Sequence, residues 1–520
     1  MSFKQRMIVF VAVLASLLEI LDASIVNVAL PNMMGNLGAT LEDISMVITG
    51  YAIANAVVLP LSSWMAERFG RRPYYITCIV LFTVTSVACG FAPNLETLIV
   101  FRILQGLAGG ALLPTSQALI YEQFPPEKAG MAGAIFGMSV MVGPALGPVL
   151  GGYLTDSFGW RSIFNVNLPL GLLAFFVAMA VIEEPEHMLA SKGKPKGKLD
   201  AIGLALLVAG IGCLQFVLER GDADEWFQSK LILTNAIIAA IALPTFVWWE
   251  LKDSSPIINI RLFKDSVVSG GVLLMGAVGF FLYSIVFLLP VFAVRVFHYN
   301  ATQIGELFIP GSILTMMVMP IVGKQMAAGR SSKALIFIGL VSIEVCLYSM
   351  TLFSPLSSKN DILIMLFLRG FGMAFLFVPI NSAILSQFKG STVGQVSGLL
   401  NLSRQIGGSV GIALVATLLS RNSHQNYIDL VSHVSLLNAN TQQVYQQSIQ
   451  GMAGKMSEGV GMGQAVTATL QALKHRVDNQ VFMMSFNQLI WMVMGIFALS
   501  FIPLYLMKFR ARVKVVSDSH

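Results

Sequence analysis

Charge is what this sequence has least of. Only 12% of its 520 residues are Asp, Glu, Lys or Arg, against about 25% in an ordinary soluble chain. A chain this poor in charge cannot cover itself for water, which excludes a soluble globule. Cysteine is scarce too. Cys78, Cys89, Cys213 and Cys346 all lie inside apolar runs, with no CxxC pair. That argues against a disulfide framework or a thiolate redox or metal centre, and the four read as small packing residues. The six histidines are scattered in or near loops. No zinc spacing, nucleophile elbow or paired His/Cys site is present, so the chain does not read as an enzyme. No GxxxxGK[ST] run occurs, so nothing points to ATP as the driving force. The net charge of +6 is not a nucleic-acid footprint, because the basic residues sit in short loops between apolar runs.

What is abundant is apolar length: 55% of the chain is hydrophobic. Runs long enough to cross a hydrocarbon core of about 30 Å recur from end to end. The expected helices are 7–30, 44–64, 74–92, 97–120, 130–153, 162–182, 200–219, 229–250, 266–293, 302–324, 333–354, 361–387, 393–419 and 481–507. The fold class is therefore an all-α polytopic membrane protein with 14 transmembrane helices. The N-terminal Lys4 and Arg6 precede an apolar run that continues past Glu19 and Asp22 to Pro31 with no small-residue cleavage site. It reads as a retained first helix. Lys and Arg fall more than twice as often on one side of these spans as on the other, so that side is assigned to the cytoplasm. An even helix count places both termini there.

Shifted by 264 residues, pieces of the chain superimpose. Gln105-Gly106 falls on Arg369-Gly370, and Gly130, Gly143 and Gly147 fall on Gly394, Gly407 and Gly411. A shift of 260 places Pro60 and Ser63 on Pro320 and Gly323. Two six-helix bundles follow, 1–182 and 266–520, with two inserted helices at 200–250 between linkers 183–199 and 251–265. Parallel halves with a site between them near the midplane are one architecture of secondary transporters. Residues 420–480 form the one long external loop, rich in Gln, Asn and Ser, with apolar residues spaced as in an amphipathic helix. It reads either as a loosely ordered cap or as a docking surface for a periplasmic partner.

Several segments carry possible chemistry. The loop Ser63–Pro73 holds Glu67, Arg68, Gly70 and Arg71 around a tight turn, suited to anchoring or latching. Helix 5 carries Gly143, Gly147 and Gly151 on one face, with Gly152 beside them and Pro144 and Pro148 between. Such a face admits close backbone approach. Ionisable residues inside spans are costly and so are candidates for function. Asp22 in helix 1 and Arg102 in helix 4 lie at depths agreeing within roughly 5 Å at 1.5 Å per residue. They can form a static ion pair or a proton switch, since burial favours the protonated carboxyl and a nearby Arg the ionised one. Glu19, one turn from Asp22, can share a proton with it or recruit a cation. Glu344 is expected to face a cavity or pair with Arg369 or Arg404, and Glu306 to be wet. Glu344, Arg369, Asn401, Arg404, Gln405 and Asn27 are candidates for the half interface or for substrate contact.

Taken together, these segments resemble a known family. SWMAERFGRRP, from Ser63 to Pro73, resembles the signature loop of the major facilitator superfamily, with Ser63 and Glu67 where Gly and Asp are usual. GMSVMVGPALGPVLGGY, from Gly137, resembles its antiporter motif. LDASIVNVALP, from Leu21, with RILQGLAGGALLP, from Arg102, and GWRSIFNVNLPLG, from Gly159, resembles its fourteen-helix drug:proton antiporters of the EmrB/QacA type. The resemblance implies a proton-driven antiporter in a bacterial inner membrane that exports small amphipathic molecules. Protons are the coupling ion and no cofactor is needed. It implies roles for Asp22 and Arg102 in coupling and for the 63–73 loop in latching the halves. It also implies a periplasmic membrane-fusion adaptor and a TolC-type outer-membrane channel as partners. A dedicated exporter of one metabolite, fatty acid or siderophore is the rival reading. A non-transporting scaffold or sensor is a further one.

Overall fold

A computed structural model describes residues 1–184, 200–253, 256–433, 442–443, 445–450 and 462–508. Among these, fourteen helices are long and apolar enough to cross a membrane: α1 Phe3–Leu37, α2 Glu42–Phe69, α3 Arg71–Gly90, α4 Leu95–Glu122, α5 Pro126–Phe158, α6 Ser162–Val181, α7 Ala201–Arg220, α8 Lys230–Lys252, α9 Ser266–Phe297, α10 Thr302–Ala327, α11 Ser332–Thr351, α12 Lys359–Leu385, α13 Thr392–Ser432 and α14 Val466–Leu506. Each expected span finds its helix. The linker 183–199 lies almost wholly outside the described residues.

The ends differ from expectation where local chemistry extends them. Ser2 and Gln5 close a capping box that starts α1 at Phe3, and Gly38 (φ +62°) stops it beyond Pro31. The expected loop 420–480 is partly a correction. α13 continues into it as far as Ser432, and the helix containing α14 begins at Met462 rather than 481. At 1.5 Å per residue these two helices run about 60 Å, roughly twice the hydrocarbon thickness. They hold each other through polar contacts, Asn426 donating to Ser485 (2.9 Å) and Gln488 (3.1 Å). α14 breaks at residues 499–500 because Pro503 has no N–H to give the Leu499 carbonyl.

The packing follows the repeat. α5 lies on α1 in the first half, and α13 lies on α9 in the second. The halves meet along α5 against α10 and α2 against α13. The glycine faces explain why these pairs come so close. A Cβ at Gly151 would stand 2.9 Å from the Ile25 carbonyl of α1, and one at Gly411 would stand 2.6 Å from the Phe280 carbonyl of α9. The half crossings repeat in the same way. Gly130 of α5 packs on Gly323 of α10, and Gly394 of α13 packs on Ser63 of α2. These are the partners that the 264- and 260-residue shifts relate. Ser63 fills the usual glycine position of its loop, and here the facing helix supplies the glycine instead. Inserted helix α7 packs on α8, α2 and α13, so it lies along one seam between the halves. Its Arg220 reaches the Glu42 carbonyl of α2, while Trp226 beyond it donates to Thr417 of α13.

Candidate functional site

Asp22 sits inside the first half, with no solvent exposure, and Arg102 is 1% exposed. The pair expected from their depths is formed, with Arg102 Nη1 2.5 Å from Asp22 Oδ2. Gln105 Nε2 (2.9 Å) and Asn167 Nδ2 (2.8 Å) both donate to Oδ1. Arg102 Nε donates to the Val47 carbonyl, and the guanidinium lies 4.2 Å from the Tyr51 ring centroid. Both carboxylate oxygens are therefore satisfied by α4 and α6. A buried pair so enclosed gains little over apolar packing, but removing one partner costs about 3–5 kcal/mol.

Glu19 behaves differently. Three residues of helix are about 300° of rotation, leaving Glu19 and Asp22 some 60° apart on α1. That offset takes Asp22 into the first half and leaves Glu19 at its edge. Glu19 is 7% exposed, and Asn55 of α2 donates to its Oε1 at 2.8 Å. Its Oε2 is buried with no hydrogen-bond partner. Asp22 and Arg404 of α13 are the charged groups acting on it. Arg404 is itself buried. Its Nη2 donates to Asn401 at 3.4 Å, and its Nε has no partner. An unsatisfied carboxylate oxygen on one half and an unsatisfied guanidinium nitrogen on the other thus belong to the same neighbourhood. Along α1 from Glu19, Ala23 and Asn27 are exposed at successive turns. The stripe runs from the half boundary toward the end of the bundle away from the 63–73 loop.

Toward the loop end, the halves are tied together. Gln117 of α4 donates to Asn381 of α12 at 2.6 Å and accepts from Asn401 of α13 at 2.7 Å. Ser397 also donates to Gln117, and Tyr121 meets Ser382 at 3.2 Å. Gln117 and Asn381 are 264 residues apart, the spacing of the repeat. Equivalent residues that touch each other must straddle the pseudo-twofold axis. This amide pair therefore marks where the axis runs. Replacing Gln117 with Leu strands the Asn381 amide oxygen and takes from Asn401 one of its two acceptors, at about 1–3 kcal/mol. The alkylation rate of a cysteine placed at Ser397, in a background without native cysteines, should rise about tenfold from the loop end.

The remaining candidates fall into three groups. Gly143, Gly147 and Gly151 face α1, and the Ser24 hydroxyl donates to the Gly143 carbonyl at 3.0 Å. Gly152, Pro148 and the turn around them face α10 instead, near Thr302 and Gly305. Pro144 lies within the same helix. In the loop, Gly70 takes φ +95°. Arg71 makes a two-pronged bond to Glu122 at 2.6 and 2.7 Å, and its backbone N–H donates to Glu184 at 2.7 Å. Arg68 stands over the Trp64 ring, and Glu67 precedes it. These Arg71 contacts join α3 to the ends of α4 and α6, within the first half. Next to them, Lys4 hydrogen-bonds exposed Glu183 and holds its carboxyl below the usual range. The third group lies in the second half. Gln405 donates across the seam to the Ala52 carbonyl at 3.0 Å. Arg369 lies over Phe308 with Nε and Nη1 unpaired. Glu344 forms no ion pair with Arg369 or Arg404, correcting that expectation. It lies half-buried at the edge of the outward stripe of α11, while both arginines are buried. Glu306 is exposed, as expected.

Asn55, Gln117, Asn381, Asn167 and Gln105 were not singled out as site residues by the sequence reading. Amides carry no charge to make them conspicuous in an apolar run. The repeat contains a signal for two of them, since the 264 shift lays Gln117 on Asn381.

Two repeated halves, glycine-packed crossings and buried charge near their boundary define a polytopic membrane transporter. The family model of the Major Facilitator Superfamily matches residues 12–412. The chain belongs to that superfamily. It is 33% identical over 485 residues to the Escherichia coli K12 protein named "Multidrug export protein EmrB", covering 93% of this chain and 91% of that one. It is 32% identical over 478 residues to the Neisseria gonorrhoeae "Fatty acid resistance protein FarB", covering 92% and 90%. In fold it is similar to the human organic anion transporter MFSD10, with TM-score 0.59 at 16% identity, over 80% of this chain and 93% of that one.

Proposed function

We propose that this protein exports amphipathic small molecules across the bacterial inner membrane in exchange for protons, with both termini and the 63–73 loop in the cytoplasm. The observation that carries this reading is the half boundary at Glu19. A buried carboxyl with one free oxygen lies at the sealed end of a stripe that becomes exposed in the other direction. A proton arriving from the periplasm along Ala23 and Asn27 can take that oxygen. Neutral Glu19 then no longer attracts Arg404 across the boundary, and the halves are free to part at the Gln117–Asn381 tie. Opening toward the cytoplasm lets cargo enter and Glu19 lose its proton. Asp22 holds Arg102 in place, and the exchange requires that pair within the first half. Each charge moving with the potential supplies about 2.3 kcal/mol per 100 mV.

The names of the relatives, multidrug export and fatty acid resistance, support amphipathic cargo. The long α13–α14 pair gives an adaptor a surface beyond the membrane, in keeping with a tripartite pump that ends in an outer-membrane channel. A second reading, export of one lipid-like anion, has the unpaired Nε of Arg404 in its favour. The test is transport in proteoliposomes with an imposed pH gradient, using a panel of cationic dyes, bile salts and fatty acids. Glu19→Gln should reduce gradient-driven transport about tenfold or more, the loss of one acid–base group, while energy-independent cargo binding persists. Full gradient coupling in Glu19→Gln would refute the proposal.

A further inference from the structure

Glu344 is a candidate acid that the transport reading leaves unused, half-buried on a membrane-facing helix. It lies about 18 Å along α11 from Ser332, near the middle of a hydrocarbon core about 30 Å thick. Phe337, Val341, Val345 and Tyr348 on the same side of α11 are each 40% or more exposed. In a membrane-spanning helix that stripe faces lipid. Glu344 stands at its edge, half-buried, with Oε1 shielded and without a hydrogen-bond partner.

The neighbouring helix sets the other wall. α11 and α14 run antiparallel, and two ring pairs fix their register. Tyr348 meets Trp491 with centroids 6.4 Å apart, and Phe337 meets Phe501 at 5.8 Å. One helical turn from the first pair, toward the second, lie Glu344 on α11 and Gly495 on α14. Gly495 is exposed, and a Cβ added there would meet nothing within 4 Å. Most glycines of this fold are pressed against a facing backbone or side chain, whereas this one leaves open space. The result is a notch opening to the bilayer, with a carboxyl on one wall, no side chain on the other, and aromatic rings above and below.

We infer that this notch between α11 and α14 binds a lipophilic cation directly from the bilayer. The carboxyl supplies the counter-charge, and the exposed faces of Tyr348 and Trp491 supply cation–π and apolar contact. A carboxyl at this depth is beyond the reach of lipid headgroup amines, which stay at the interface. A cation with its charge buried in a hydrophobic shell enters the core and fits both requirements. The inference does not depend on Glu19 or on proton exchange.

The test uses the full-length protein in lipid nanodiscs, with dicyclohexylcarbodiimide as an apolar carboxyl reagent and tetraphenylphosphonium as the cation. Labelling is located by peptide mass spectrometry. The apolar reagent should modify Glu344, and a water-soluble carbodiimide should not. Tetraphenylphosphonium should slow the modification about fivefold or more, as should Gly495→Leu, which fills the notch. Glu344→Gln should remove the label at that peptide while the size-exclusion profile stays that of the parent. Should Gly495→Leu misfold, Gly495→Ala in the same assay gives a smaller slowing. Equal labelling by the water-soluble reagent would overturn the inference, because the carboxyl would then lie on an aqueous path. So would absence of labelling, or labelling indifferent to both the cation and the notch-filling variants.

Discussion

Asp22→Asn is expected to reduce gradient-driven transport to a few per cent of the parent, and to destabilise the protein as well. The substitution preserves shape but not hydrogen-bond sense. Asp22 accepts from Arg102, Gln105 and Asn167, and an asparagine must turn an NH2 toward at least one of these donors. It also leaves the Arg102 guanidinium, 1% exposed, with no counter-charge. Removing one member of such a pair costs about 3–5 kcal/mol, enough to lower the thermal midpoint clearly. The double variant Asp22→Asn, Arg102→Gln separates the two roles. Taking away both charges should recover most of the stability but none of the proton-driven transport. A double variant that recovers both would make the pair a structural strut and remove it from the coupling scheme.

Gly147→Leu should abolish assembly of the first half. A Cβ at that position would come within 2.7 Å of the Ser24 Cβ and 3.1 Å of the Ser24 carbonyl carbon. Those atoms belong to α1 backbone and its first side-chain atom, which cannot swing away. Overpacking of this kind costs about 1–3 kcal/mol where neighbours can yield, and more where both partners are helix backbone. Gly147→Leu should therefore give aggregated protein on size exclusion, and Gly147→Ala a folded protein of lower thermal midpoint. Its repeat equivalent, Gly411→Leu, should behave alike, because a Cβ there meets the Phe280 carbonyl of α9. Gly212→Ala serves as the control. Its added Cβ makes only ordinary contact, 3.8 Å from Ile53, and should leave both stability and transport near parental values. A stable, active Gly147→Leu protein would show that α1 and α5 do not pack as described.

Helix number, helix type and the pairing of α5 with α10 and of α2 with α13 have direct counterparts in the chain. Apolar length counts the spans, because a backbone in hydrocarbon has to satisfy its own hydrogen bonds. A glycine every fourth residue marks a contact face without naming the partner, and the repeat then narrows the choice. The length of α13 and α14 was obscured because their outer ends are polar. Hydropathy sees only what lipid touches, whereas Asn426, Ser485 and Gln488 stabilise those ends by bonding to one another. Glu344 misled for the opposite reason. An acid in an apolar run announces cost, but not which way the helix has turned it.

By itself the amino-acid order determined a fourteen-span membrane protein built of two related halves, with Asp22 and Arg102 at one depth. That much rests on length, periodicity and spacing along single helices, all of which are local. Only the tertiary structure decided that Asp22 is fully enclosed while Glu19, one turn away, keeps a free oxygen at the boundary with Arg404. The difference is a rotation of about 60° on one helix, and its meaning depends on which neighbours stand in the two directions. The amides that close the boundary come from Gln117 of α4 and, 264 and 284 residues further on, from Asn381 of α12 and Asn401 of α13, and Gln117 meets Asn381 because the twofold relation brings both to its axis.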